Sequence, residues 1–438
     1  MRPEIRRVLI IAYYFPPLGL SGVQRTAKFA KYLYRYGWKP TVLTVEPGGY
    51  YAFDESLLQE VQEAGVEIVR ASSLDANRLF KRTGVVSLPR ESVRKLLSFL
   101  GDTFFIPDTK IGWRKRALAA AVHLCARQQF HAVIATAPPQ TDFIVGADLK
   151  KKTGIPLLLD YRDAWLEYPF KYYPTPIHTW LHKRLERKVL RAADRVVVTH
   201  RRVKESLVKR HRTLHYNDVT IVSQGFDAED FTVEPEHRPP GSPMRVVHAG
   251  TFYGHRSPDV LIRAVHRLVT ADPGLRKRIE VRLIGAKRRQ DGKLVTKLGV
   301  SDVVLFDGYL EHRACIRTLK SADVLWYVND NDTQSPGKLY EYFAAGAPIM
   351  ASVVEGYTKQ QILESQAAFC VPLLDVAAHE TTLLHLLKLH DAGTLPRVSS
   401  EFAERFERLK LTGELARQLE SMMDFDRGEI IRVQENAR

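Results

Sequence analysis

Lys338 and Glu341 stand three residues apart in the segment Ser335-Pro336-Gly337-Lys338-Leu339-Tyr340-Glu341-Tyr342-Phe343-Ala344-Ala345-Gly346-Ala347-Pro348-Ile349. The Pro-Gly turn opens a helix, and Gly346-Ala347-Pro348 breaks it ahead of an apolar strand. Such a turn, at Gly337, leaves backbone N–H groups free at a helix N-terminus, where the dipole favours an anion. Lys338 adds a mobile positive charge suited to phosphate oxygens. Glu341 lies about one turn further along the same face and can accept from a pair of hydroxyls. Cation, amides and carboxylate together describe a site for a molecule with phosphates at one end and a polyol at the other.

The elements that must position these groups follow an alternating rhythm. Val8–Tyr13 is a continuous apolar run, as expected of a parallel strand buried on both faces. A loop through Pro16, Pro17 and Gly19 reaches Ser21, an expected N-cap, and a helix that stops at Gly37. Further strands are expected at 42–45, 66–69, 132–136, 156–160, 195–199 and 219–222, with a helix over 177–192. Thr232–Pro243 is polar and Pro-rich and reads as a linker. After it the rhythm restarts, with strands at 245–249, 279–284, 303–306, 324–328, 348–353 and 368–371 and a helix at 258–269. A last charged helix covers about 400–423. The pattern predicts an α/β protein of two Rossmann-like domains, 1–235 and 236–399, with a helix in 400–438 packing back across both. Ligands of such sheets bind at the carboxyl ends of the strands, here a cleft between two sheets.

At 438 residues the chain is too long for one core. Its hydrophobic fraction of 45% and charged fraction of 26% are ordinary for a globular protein. No apolar run has the length of a membrane span, and Met1–Arg7 leads into a strand without a signal-cleavage pattern. Cys125, Cys315 and Cys370 have neither disulfide nor metal spacing, which suits a reducing cytoplasm. The formal charge of +15 calls for an anionic partner. Much of it lies in 78–116, where Arg78, Lys81, Arg82, Arg90, Arg94, Lys95, Lys110 and Arg114–Arg116 alternate with Leu88, Val93, Leu96, Leu97, Leu100, Phe104 and Phe105. This stretch reads either as a solvated basic face or as a docking surface for acidic lipid at the inner face of the cell membrane. No zinc-finger or RNP-type motif supports nucleic acid.

Four ordered segments carry a family resemblance: Tyr14-Phe15-Pro16-Pro17 with Gly22, Asp160-Tyr161-Arg162-Asp163-Ala164-Trp165, Gly250–Arg256, and the helix opening at Lys338. Together they resemble the family 4 retaining glycosyltransferases of the GT-B fold, in particular group 1 enzymes of bacterial surface-polysaccharide synthesis. The resemblance covers nearly the whole chain and implies a nucleotide-sugar, UDP- or GDP-linked, bound by the C-terminal domain. The acceptor, a glycan or lipid-linked sugar, would bind mostly to the N-terminal domain. It implies that Glu341 holds the ribose hydroxyls and that Arg256, Lys338, Gly337 and Gly22 face the diphosphate. No Asp-x-Asp occurs in a suitable loop, so transfer is expected to need no metal, and no cofactor. Asp163 and Arg162 become the catalytic candidates on the acceptor side. The neighbouring guanidinium is expected to keep Asp163 ionised, which suits electrostatic work.

The chain departs from the family where a first glutamate would touch the donor sugar: Thr333 stands there, and Thr333 or Gln334 would take over. Thr251 replaces an arginine, and Arg162-Asp163 replaces a His-Asp pair. Asp330-Asn331-Asp332 reads as a solvated turn and Asp160 as structural. Bland readings stay open for the rest: a capping glutamate, a surface arginine, an N-cap aspartate, and structural histidines at 200 and 248. A nucleotide-sugar 2-epimerase or other GT-B enzyme, and a non-catalytic nucleotide-sugar- or lipid-binding protein, are the alternatives.

Overall fold

Apolar β-branched runs flanked by amphipathic helices fold here into two units, each built on a parallel sheet. The computed structural model describes every residue except 1–4, 20, 51–52, 75–90, 170, 253–255, 335 and 436–438, and for 21, 91–95 and 424–435 the backbone alone. The first unit comprises 1–223 and 408–438, the second 224–407.

The first sheet contains β1 (Arg6–Ile11), β2 (Trp38–Val45), β3 (Glu67–Ala71), β4 (Ala132–Ala137), β5 (Leu157–Tyr161), β6 (Arg195–Val198) and β7 (Val219–Ile221), in the order β3-β2-β1-β4-β5-β6-β7. Helices α1 (Ser21–Tyr32), α2 (Glu55–Glu63), α3 (Glu91–Phe104), α4 (Arg114–Arg127), α5 (Thr141–Thr153), α6 (Pro176–Ala192) and α7 (Arg201–Arg210) alternate with the strands. The helical run beginning at Ser21 ends in a 3₁₀ turn and a left-handed Gly37, as its sequence signals. The order reverses between β1 and β4, so the loops after these two strands meet at a switch point.

The second sheet contains β8 (Met244–Ala249), β9 (Ile279–Ile284), β10 (Val304–Gly308), β11 (Val324–Asn329), β12 (Ile349–Val353) and β13 (Ala368–Val371), ordered β10-β9-β8-β11-β12-β13. Its helices are α8 (Asp259–Ala271), α9 (Arg289–Lys297), α10 (His312–Lys320), α11 (Lys338–Ala345), α12 (Tyr357–Glu364), α13 (Val376–Asp391) and α14 (Ser400–Glu404). Here the switch point falls between β8 and β11. The Gly250–Arg256 loop follows β8 and the Asp330–Gly337 loop follows β11, so the second unit's candidate motifs gather at one end of one sheet.

Two expectations need correction. The Pro-rich segment 232–243 is not a free linker, because its charged residues are held by the second unit. Glu236 accepts from Arg245, Arg282 and Thr318, and Arg238 pairs with Asp323. The unit boundary falls earlier, after Ser223. Nor is the C-terminus one helix from 400. Phe402 and Phe406 pack on Phe343 beside α14, whereas a separate helix α15 (Arg408–Glu435) returns to the first unit. Its Leu411, Leu415, Leu419 and Met422 recur at helical spacing and are buried in the first core. Within the first unit, the buried Arg25–Asp160 pair at 2.9 Å ties α1 to β5, and Thr136 Oγ1 donates to the same carboxylate. Asp160 is structural, as read from the sequence.

Candidate functional site

The N-terminus of α11 is set by Pro336 and Gly337, and its end by Gly346 in the left-handed conformation at φ +78°. Tyr342 fixes the helix against the sheet: its hydroxyl accepts from the Ala249 N–H at 2.7 Å, at the end of β8. Lys338 and Glu341 share one face of the helix, as expected, and there form an ion pair the sequence reading did not include, with Nζ 2.5 Å from Oε2. Glu341 is buried. Burial would lower the Lys338 ammonium, but the Cys315 sulfur and then the Glu341 carboxylate outweigh it and hold it above its ordinary range. Cys315 Sγ lies 3.7 Å from the same ammonium. A Cβ on Gly337 would meet nothing within 4 Å, so local packing does not require glycine there.

Arg256 is the second cation. Its Nε donates to Asp330 Oδ1 and its Nη2 to Gln334 Oε1, both at 2.8 Å. Asp330 is therefore an ion-pair partner rather than part of a solvated turn, and Arg256 holds its carboxyl below the usual range despite partial burial. Asn331, read from the sequence only as part of a solvated turn, organises the loop: its Oδ1 accepts from Thr333 N and Oγ1 and from Gln334 N, an Asx turn. Thr333 and Gln334, which the resemblance would place against the donor sugar, thus sit on this turn beside Arg256. Asn329, at the end of β11, is buried with neither side-chain Oδ1 nor Nδ2 hydrogen-bonded. A buried amide with four unused hydrogen-bonding positions was also missed, since within an apolar run it reads only as a strand end.

His248 is structural: Nδ1 contacts Trp326 O at 2.9 Å, the ring stacks on Phe252, and burial pushes it down to about 4. Beneath the Gly250 turn lies Gly285, at φ +136°, where a Cβ would come 2.2 Å from Gly250 O. Glycine is obligatory there.

In the first unit, Arg162 does not pair with Asp163. Its guanidinium donates to the carbonyls of Gly22 and Pro138, which pins the first turn of α1 to the loop after β4. Arg162 is a positioning group, and Gly22 contributes its backbone, with space for a Cβ only against Arg162 Nη1 at 3.4 Å. Asp163 is half-buried and carries a carboxyl raised to about 6, because desolvation outweighs the attraction of Arg162. Asp163 is therefore still mainly a carboxylate at neutral pH, but burial rather than the neighbouring guanidinium dominates its titration. Asp142 was missed: fully buried, it accepts the Tyr13 N–H at 2.8 Å through Oδ2, while Oδ1 has no partner. Burial holds its carboxyl well above the ordinary range. Its signal was an aspartate directly after Pro138-Pro139-Gln140-Thr141, at the head of a helix on the switch-point side.

Of the basic stretch, residues 78, 81, 82 and 90 lie outside those described, as do the side chains of 94 and 95. Lys110 sits over the Tyr13 ring, Arg114 pairs with Asp148, and Arg116 donates to Ser72. These three serve the fold.

Residues 22–225 match the family model described as "Glycosyl transferase 4-like domain", and 243–389 match "Glycosyl transferases group 1". The chain belongs to the group 1 glycosyltransferases with the GT-B fold. It is 27% identical over 258 residues to a D-inositol 3-phosphate glycosyltransferase of Streptomyces coelicolor, a match covering 53% of this chain and 52% of that protein. The chain thus spans about half the length of the curated relatives it matches. In fold it is similar to sucrose-phosphate synthase from Thermosynechococcus elongatus (TM-score 0.65, 16% identity, 95% of this chain and 100% of that one). It is similar also to Anabaena HepE in complex with UDP and glucose (TM-score 0.63, 14% identity, 95% and 100%).

Proposed function

We propose that this chain transfers a glycosyl group from a nucleoside diphosphate sugar to a hydroxyl of a glycan or lipid-linked acceptor in cell-surface polysaccharide synthesis, with retention and without a metal ion. The observation that carries the reading is the Lys338–Glu341 pair at the head of α11, joined at the same sheet end by Arg256. A bidentate carboxylate accepts both ribose hydroxyls, and two cations with helix amides offset the charge that grows on the departing diphosphate. UDP bound in the structurally similar HepE supports a uridine donor. The bond from the anomeric carbon to the diphosphate oxygen breaks, and the acceptor oxygen bonds to that carbon on the same face. The acceptor proton passes to the leaving phosphate oxygen. Asp163 steadies the positive charge at the reacting carbon, and Arg162 holds the backbone around it.

The test is calorimetric titration with UDP and GDP, followed by donor turnover with and without acceptor glycolipids in chelator. Glu341→Ala should weaken nucleotide binding roughly 10–100-fold, the scale of charge-assisted hydrogen bonds. Asp163→Ala should leave binding intact and abolish transfer. Unchanged nucleotide affinity in Glu341→Ala would sink the assignment. Turnover without acceptor to an isomerised donor would favour the epimerase alternative.

A further inference from the structure

The first unit carries a cluster of exposed apolar side chains that its core does not use. On α3, Leu96 is 57% and Phe104 74% exposed, with Leu97, Phe99 and Leu100 beside them. On α6, Ile177 is 67% and Trp180 55% exposed. The two groups form one patch, because α3 holds both the loop before α6, at Tyr172, and the first turn of α6, at His178. Phe99 packs on Tyr172 with ring centroids 5.0 Å apart, Asp102 Oδ2 accepts the Tyr172 N–H at 3.0 Å, and His178 Nε2 meets Thr103 O at 3.0 Å.

The exposed charge that α6 carries beside the patch is all basic. Residues 177, 180, 184, 187, 188 and 191 fall on one stripe of α6 at helical spacing. The stripe begins with Ile177 and Trp180 and continues as exposed Arg184, Arg187, Lys188 and Arg191. Arg184 reaches back over the Trp180 ring at 5.4 Å. The sole acid of α6, Glu186, is buried on the opposite face, bonded to His211. An apolar tip with Trp and Tyr at its border, followed by a row of arginines, matches the layering of a bilayer, acyl region first and anionic headgroups next.

We propose that the faces of α3 and α6 dock this protein on an anionic phospholipid surface, with Phe104, Ile177 and Trp180 entering the interface and Arg184, Arg187 and Arg191 meeting lipid phosphates. The surface keeps the apolar part of the 78–116 stretch read from the sequence, on α3, but takes its cations from α6. It goes beyond the donor reading and does not depend on it.

The protein supplies its own probe. Of its five tryptophans, Trp38, Trp113, Trp165 and Trp326 are buried, so a change in intrinsic fluorescence reports Trp180. Vesicles of phosphatidylglycerol in phosphatidylcholine, added without nucleotide, should shift the emission to the blue, and the full chain should sediment with them but not with phosphatidylcholine alone. Arg184→Glu with Arg187→Glu should weaken partitioning more than tenfold and flatten its salt dependence, at roughly fivefold per cation lost. Phe104→Ser with Ile177→Ser should weaken it about tenfold, with thermal melts of both variants unchanged. Trp180→Phe should remove the fluorescence shift and keep the sedimentation. Absence of partitioning, or partitioning indifferent to both double variants, overturns the proposal. So does emission already blue before lipid is added, which means that another part of the chain covers the patch. A dimer that the same substitutions dissociate would assign the patch to a second copy.

Discussion

At the scale of single residues, each candidate side chain is defined less by its type than by what competes for it. Lys338 and Glu341 are already paired, so under the proposed function nucleotide binding would exchange their mutual contact for diphosphate and ribose. A double-mutant cycle of Lys338→Met and Glu341→Gln, read as UDP affinity, should therefore be non-additive by about 1 kcal/mol or more, since each single change strands a charge. Asp163 gives a pH signature. Its carboxyl, raised to about 6 from an ordinary value near 3.8, keeps its proton in the folded state where the unfolded chain has lost it. Stability from this group is full below about pH 4 and is lost as pH rises to about 6, by about 2–3 kcal/mol at 1.36 kcal/mol per unit. Asp163→Asn should accordingly melt higher than the parent at pH 7.5 and the same at pH 4, while its transfer activity collapses. In the parent, kcat/KM should fall as pH drops through about 6, where the carboxylate is neutralised.

At the scale of elements, two turns decide whether the groups can converge. Gly285 lets the loop after β9 pass beneath Gly250, and a methyl there would collide with that carbonyl at 2.2 Å in a backbone at φ +136°. Gly285→Ala should lower stability by about 2–4 kcal/mol and weaken UDP binding with it, because the Gly250–Arg256 loop must shift. Thermal melts with and without UDP would show both effects. The head of α11 was legible in the sequence because Pro-Gly and Gly-Ala-Pro are local signals with local causes. The Asx turn of Asn331 and the guanidinium of Arg162 were not, since their partners depend on which loops the sheet order brings together. Arg162 and Asp163 are adjacent in sequence, yet Arg162 binds carbonyls from residues 22 and 138.

At the scale of the whole molecule, the second unit is an insertion in the first, because α15 carries the chain back into the first core. Leu415 is fully buried there, and Leu415→Ala should cost about 2–5 kcal/mol in the first unit alone. Calorimetry should then show the first unit's transition lowered, with a second transition that still rises on adding UDP. Equal loss in both would mean that the units unfold as one. Among the described residues, no helix is long and apolar enough to cross a membrane. By itself, the sequence determined the alternation of strands and helices, the two-sheet architecture and the helix carrying Lys338 and Glu341. These rest on periodicity and turn chemistry, which act over a few residues. Tertiary structure alone decided where the units divide, that the segment at 232–243 is pinned rather than free, that Arg162 is a staple, and that Asp142 and Asn329 are buried beside the loops. It also joined the apolar faces of α3 and α6 into one patch. Those facts depend on strand order and on which charges find partners across long stretches of chain, and no local pattern of residues encodes them.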